Sequence, residues 1–138
     1  DILLTQDPYL AVEARMRVPD GLELGPFSYF PDWSTGKAKA CRVMNREMML
    51  NLLATCHARM AAFSGYGLAI RCPGVTPLGA DEERELWSQL AARYRAHATV
   101  DDFGQASTRL RILKRIEGAA GQGRGEASPA RVADPSEN

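Results

Sequence analysis

The sequence predicts a small α+β domain in which three helices pack on a short N-terminal antiparallel β element, followed by a disordered C-terminal tail. Three observations predict this fold. Residues 45–63 place apolar side chains at helical spacing, residues 12–18 alternate apolar and charged side chains, and residues 119–138 contain almost no large apolar side chain. These patterns are typical of a core helix, a half-buried strand and a segment that does not fold alone.

Length and composition indicate a single domain. The chain has 138 residues, of which 45% are hydrophobic, and this is enough apolar material for one buried core. We expect a globular domain over residues 1–118 and a flexible tail rich in Gly, Ala, Pro and Ser over residues 119–138. No apolar run is long enough to span a bilayer and no signal peptide is recognisable, so we expect no membrane association.

The N-terminal β element is predicted from residues 12–18, VEARMRV, in which apolar and charged side chains alternate without exception. This is the pattern of a strand with one buried and one solvated face. Residues 19–21, Pro-Asp-Gly, then supply a turn, because Pro fixes φ and Gly tolerates a positive φ. Residues 22–30 return as a second, irregular edge strand, since a Gly-Pro pair interrupts them.

The longest helix is predicted over residues 45–63, where apolar residues recur at steps of four and three. Its stripe consists of Met49, Leu53, Cys56, Met60 and Phe63. Side chains at this spacing share one face of a helix, so we expect the stripe to face the core.

Two further helices are predicted over residues 80–97 and 100–117. The first has acids in its opening turns and Arg and His in its last turn, which suits the helix dipole. The second opens on Thr99 and Asp102, which resemble a capping box. Between these helices and the longest one, the short apolar run at residues 68–72 predicts a third strand.

The loop before the longest helix is the first candidate binding segment. Its aromatic residues are Phe27, Tyr29, Phe30 and Trp33, and a basic run follows them. Aromatic rings beside cations are typical of platforms for single-stranded nucleic acid, where rings stack on bases and cations contact the backbone. The alternative is a loop whose rings close the edge of the core while its charges stay solvated. The candidate binding residues here are Trp33, Lys37, Lys39 and Arg42.

The predicted helix over residues 100–117 is the second candidate. From residue 104 to residue 116 it contains four cations and no acid. The candidate binding residues are Arg109, Arg111, Lys114 and Arg115. As a recognition helix it would present these cations to phosphates while its apolar side docks on the domain. Two alternatives stay open: a surface that binds a partner protein, and a structural helix with a basic solvated face.

The three cysteines do not indicate a disulfide framework. Cys41, Cys56 and Cys72 are odd in number and far apart, which favours reduced thiols in the cytoplasm. Cys56 and His57 are adjacent, and on a helix adjacent side chains point about 100° apart, so they do not readily share a metal ion. A thiol enzyme would pair Cys56 or Cys72 with His57 or His97, and this is the weaker alternative.

The sequence therefore favours a non-catalytic protein over an enzyme, with no cofactor and no metal, because no catalytic constellation is recognisable. We expect a regulatory or assembly subunit that docks on another protein, in a larger assembly, through the aromatic and basic loop and the basic C-terminal helix. The alternative is a small nucleic-acid-binding regulator that uses the same cations. The balance of 17 basic and 17 acidic residues weakens this alternative, since nucleic-acid binding needs a local excess of positive charge.

Overall fold

Four short strands form the sheet at the centre of the fold. The computed structural model describes residues 1–65, 67–68, 78–104 and 107–118. Within them the strands are β1 (Leu3–Thr5), β2 (Met60–Phe63), β3 (Tyr94–Phe103) and β4 (Thr108–Arg115). Their order across the sheet is β1-β2-β4-β3. β1 is parallel to β2, whereas β4 is antiparallel to both β2 and β3.

Short helices connect these strands in the described ranges. They are α1 (Pro8–Glu13), a 3₁₀ turn (Gly25–Ser28), α2 (Thr35–Ala40), α3 (Arg46–Thr55) and α4 (Ala80–Ala91). Polar N-caps begin three of the helices, because a side-chain oxygen can accept from one of the first free backbone N–H groups. Asp7 accepts from the N–H of Tyr9 in α1, and Asn45 accepts from that of Met48 in α3. Ser34 caps α2 in the same way.

The alternation of side chains along β2 creates two cores. Ala61 and Phe63 face the side of the sheet that α3 and α4 cover, where Leu53 and Leu90 are also fully buried. Ala62 faces the opposite side, where α1 covers a smaller cluster. Neighbouring side chains of a strand point to opposite faces, so a central strand with helices on both sides is apolar throughout.

The structure confirms a mixed α+β fold but not the predicted arrangement of three helices. The predicted helix at 45–63 is wrong beyond Thr55, because Cys56 adopts an extended conformation, φ −57° and ψ 133°. Residues Met60–Phe63 are instead β2, paired with strands on both sides. The first half of the predicted helix is confirmed, and Met49 and Leu53 are buried in the core as expected. Backbone pairing on both edges overrides the helix propensity of the Met-Ala-Ala segment.

The predicted helices at 80–97 and 100–117 also need correction. α4 ends at Ala91, and the chain continues as β3. The second helix does not form, because residues 100–117 contain the end of β3, a turn and β4. Positive φ values at Asp102, Gly104 and Ser107 reverse the chain at this turn, and a helix cannot pass through a positive φ.

The N-terminal β element is different from the one that the alternation predicted. Residues 12–18 are not a strand: α1 occupies Pro8–Glu13, and Arg15, with φ 54°, follows it. Residues 22–30 hold the 3₁₀ turn instead of a second strand. The N-terminal strand is β1, and its parallel pairing with β2 replaces the predicted antiparallel hairpin.

Two predictions concern residues outside the described ranges. The strand predicted at residues 68–72 has only Leu68 within them, and Leu68 lies in a turn. The flexible tail at residues 119–138 lies outside them completely.

Candidate protein-binding surface

The aromatic loop packs largely on itself. Phe30 and Trp33 stack, with ring centroids 4.2 Å apart, and Lys37 Nζ lies 3.8 Å from the centroid of the Trp33 ring. Tyr29 is fully buried in the core. A base that stacked on Trp33 would therefore compete with partners from the same loop, which is the arrangement of a structural loop.

Lys39 and Arg42 remain exposed in the same region. Lys39 is near the end of α2, and Arg42 follows the C-cap of α2 with φ 56°. Neither side chain has an ion pair or hydrogen bond with another part of the chain that the structure describes. The loop thus brings Trp33 and Lys37 together and leaves the other two cations solvated.

β4 carries the other four candidate residues, and its pleat separates them. Successive side chains of a strand point to opposite faces. Arg109, Arg111 and Arg115 therefore lie on one face, and Lys114 lies on the other. Because Thr108–Arg115 is a strand, the hypothesis that these four cations lie on a recognition helix is wrong.

The three arginines of β4 already have partners. Arg109 Nε is 2.8 Å from the Oδ1 atom of Asp101 in β3. The guanidinium carbon of Arg111 lies 4.8 Å from the centroid of the Trp87 ring. Arg115 donates to a main-chain carbonyl oxygen in the segment before β2, at 3.2 Å. These contacts hold the cations against the protein itself, which makes them less available to an external phosphate.

The thiol and imidazole side chains do not form a catalytic pair in the described structure. Cys56 Sγ accepts a hydrogen bond from the Ala58 N–H at 3.5 Å, and burial raises the pKa of the neighbouring Tyr94, with Cys56 as the next cause. His57 and His97 are exposed, and neither is hydrogen bonded to the Cys56 thiol. Cys72 lies outside the described residues.

Large apolar side chains are exposed beside α1. Tyr9 is 68% exposed and Val12 is 69% exposed, and they are three residues apart, so they are neighbours on the helix surface. Leu24 and Phe27 are 55% and 57% exposed. Phe27 lies on the 3₁₀ turn and Leu24 is the residue immediately before it. We call these four residues the apolar patch.

The two halves of the apolar patch lie on elements that touch each other. Gly25, with φ +64°, packs against Pro8 so closely that an added Cβ would lie 3.1 Å from Pro8 Cδ. Pro8 precedes Tyr9 in α1, and Gly25 begins the 3₁₀ turn that carries Phe27. The four exposed apolar side chains thus lie on two adjoining elements, and contiguous exposed apolar surface marks interaction sites.

The segment that carries the apolar patch has an excess of acids. Residues 7–27, which carry the patch, contain four acids and two cations. The acids are Asp7, Glu13, Asp20 and Glu23. A surface with this charge suits a partner whose border is basic.

Sequence reasoning missed most of the apolar patch. Phe27 belongs to the predicted aromatic cluster and Val12 to the predicted strand, whereas Tyr9 belongs to no predicted element. The signal that could have found them is the Asp7-Pro8 pair, since Asp at the N-cap and Pro at the first helical position begin a helix. A helix there places Tyr9 and Val12 on one side.

No family model matches this chain, and no curated protein and no solved structure is significantly similar to it. Among the described residues, no group of three His, Cys, Asp or Glu side chains is arranged to hold a metal ion. No helix in the described ranges has both the length and the apolar character needed to cross a bilayer.

Proposed function

We propose that this protein is a non-catalytic protein-interaction module, a regulatory or assembly subunit that docks on a partner protein through the apolar patch. The observation that supports the proposal is the exposure of Tyr9, Val12, Leu24 and Phe27 on two touching elements. The partner presents an apolar surface bordered by basic side chains, which complements the acids around the patch.

The composition of the apolar patch supports a protein partner over a nucleic acid. Aromatic residues are enriched among the residues that contribute most to protein interfaces, and the patch contains Tyr9 and Phe27. Nucleic acids require cations at the surface, whereas the segment that carries the patch has an acidic excess.

The proposal is tested by replacing single residues of the apolar patch with Asp and purifying the tagged protein with its partner from native cells. We expect Tyr9→Asp and Phe27→Asp to lose the partner, because a buried charge without a counterion opposes docking. The quantity measured is the molar ratio of partner to tagged protein after nuclease digestion.

Val100→Asp is the matched control for this experiment. Val100 is also an exposed apolar residue, 44% exposed, but it lies on β3, and its variant should retain the partner. Equal loss in all three variants, or retention in all three, contradicts the proposal. Loss of the partner on nuclease digestion of the unmodified protein contradicts it as well, since nucleic acid would then bridge the two.

A further inference from the structure

A second concave surface lies where β2 begins and β4 ends. This groove has a volume of about 560 Å³. Its apolar lining residues are Ile2, Met16, Ala58 and Met60. Its charged lining residues are Asp1, Arg17, Arg59 and Lys114, and His57 completes the set. Three cations thus share one concavity with a single acid.

The three cations of the groove have no partners of their own. In the described ranges, the side chains of Arg17, Arg59 and Lys114 make no ion pair and no hydrogen bond. This separates them from the arginines of β4, which are held by Asp101, by Trp87 and by a main-chain carbonyl. The lining has one acid, Asp1, against these three cations, so the groove keeps an excess of positive charge that an external anion can neutralise.

The sheet places a fourth cation beside the groove. Arg95 of β3 is the register partner of Lys114 in β4, so two like charges stand directly opposite each other. Such a pair is destabilising when nothing neutralises it. An anion bound next to Lys114 relieves this repulsion. The Arg95–Lys114 pair therefore supports anion binding independently of the shape of the groove.

The apolar lining residues of the groove favour a ligand that has an apolar part besides its anionic group. Met16, Met60 and Ile2 are flexible or aliphatic side chains, and methionine adapts readily to an apolar surface. Ile2, Met16 and Arg17 also line an adjoining cavity of about 800 Å³, whose lining is mainly apolar but includes the acids Asp20 and Glu23. Volumes of this order and a largely apolar lining are typical of small-molecule sites.

The geometry points to a binding site for a small amphipathic anion, in which the groove holds a carboxylate or phosphate head group on an aliphatic body. Arg17, Arg59 and Lys114 bind the head group, and the methionines contact the aliphatic chain. No Phe, Tyr or Trp side chain lines this groove, and His57 is its one ring, so it offers less stacking surface than a single-stranded nucleic-acid site normally has. The inference does not rest on the protein-binding proposal, because the head-group site uses Arg17, Arg59 and Lys114, although Val12 of the apolar patch lines the adjoining cavity.

The test is calorimetric titration of the full chain with four probes that share one alkyl chain: decanoate, decyl phosphate, decanol and decylamine. Inorganic phosphate and a single-stranded oligonucleotide complete the set. We expect decanoate and decyl phosphate to bind at one site and the other four probes to bind at least about tenfold more weakly, since both the charge and the chain contribute.

Variants of the groove separate specific binding from general attraction of anions. Lys114→Gln and Arg59→Gln should each weaken binding of the two anionic decyl probes by about tenfold. Lys39→Gln removes the same charge from an exposed position on α2 and should leave binding unchanged. Circular dichroism confirms that each variant is folded, and these exposed substitutions are not expected to disturb the core.

Several outcomes overturn the inference. They are no binding of either anionic decyl probe, equal binding of decanol or decylamine, and equal weakening by Lys39→Gln. Binding of inorganic phosphate as tight as that of decyl phosphate removes the role of the apolar floor. Binding of the oligonucleotide in place of decanoate assigns the cations to nucleic acid instead.

Discussion

Two buried tyrosines illustrate how a single hydroxyl group affects stability. Tyr94 Oη donates to the Ala58 carbonyl oxygen at 2.8 Å. Tyr29 Oη is buried and has no hydrogen-bond partner among the described residues. Burial, with Glu82 as the next cause, raises the pKa of Tyr29 from 10.0 to about 12. A buried hydroxyl without a partner is unfavourable, whereas a paired one is not.

We therefore predict opposite effects for the two Tyr→Phe substitutions at pH 8. Tyr94→Phe leaves the Ala58 carbonyl without its donor and should lower the free energy of unfolding by about 1–2 kcal/mol. Tyr29→Phe removes an unpaired hydroxyl and should leave this free energy unchanged or raise it. Urea denaturation measures both. A larger loss for Tyr29→Phe than for Tyr94→Phe contradicts the assignment of the hydrogen bond.

Alkaline pH tests the raised pKa of Tyr29. A group whose pKa is higher in the folded state stabilises the fold below its unfolded pKa, and this stability is lost as pH rises through the folded value. For Tyr29 the window runs from pH 10.0 to about 12, and the loss is about 2–3 kcal/mol. Urea denaturation at pH 8 and 11 should show a smaller loss in Tyr29→Phe than in the unmodified protein.

At the scale of elements, Asn45 joins α3 to the loop before it. Its Oδ1 caps α3 through the Met48 N–H at 3.0 Å. Its Nδ2 donates to the Trp33 carbonyl oxygen at 3.1 Å and to Thr35 Oγ1 at 3.0 Å. One buried side chain thus begins a helix and fixes the aromatic loop.

Replacing Asn45 tests this junction. Asn45→Ala should lower the free energy of unfolding by about 2 kcal/mol, because it removes a cap and two further hydrogen bonds. Asn51→Ala is the control, since Asn51 is exposed within α3 and alanine is the better helix former. Thermal and urea denaturation give both values. An equal effect of the two substitutions would show that the cap does not contribute.

The errors of the sequence prediction occur where two periodicities fit one segment. In residues 108–115, TRLRILKR, cations alternate with Leu110 and Ile112, which is a strand pattern. Leu110 and Ile112 also fit a helical stripe that includes Leu113. Only the turn residues before this segment favour a strand over a helix. In β2 nothing local decides, because Met60–Phe63 is a strand through its pairing with two distant strands.

The local signals that did predict structure were the strong ones. The start of the helix near Asn45 and the burial of Met49 and Leu53 follow from the spacing of the apolar residues alone. The site was less accessible to prediction. The exposure of Tyr9 and Phe27 depends on what the rest of the chain leaves uncovered, and a sequence pattern contains no information on that.

At the scale of the whole molecule, zero net charge conceals a separation of charge. The acids Asp7, Glu13, Asp20 and Glu23 lie on the segment that carries the apolar patch. Three cations line the groove at the end of the sheet, and one of them, Arg17, belongs to that same segment. We propose different ligands for the two surfaces on this ground. A protein partner with a basic border suits the first, and a small anion suits the second.

The central claim is that the apolar patch is covered by a partner protein in the native assembly. Hydroxyl-radical footprinting of the assembly and of the isolated protein tests it directly, because oxidation of exposed aromatic side chains stops when a partner covers them. We predict that Tyr9 and Phe27 are oxidised in the isolated protein and protected in the assembly, while Val100 is oxidised equally in both. Unchanged oxidation of Tyr9 and Phe27 in the assembly would contradict the claim.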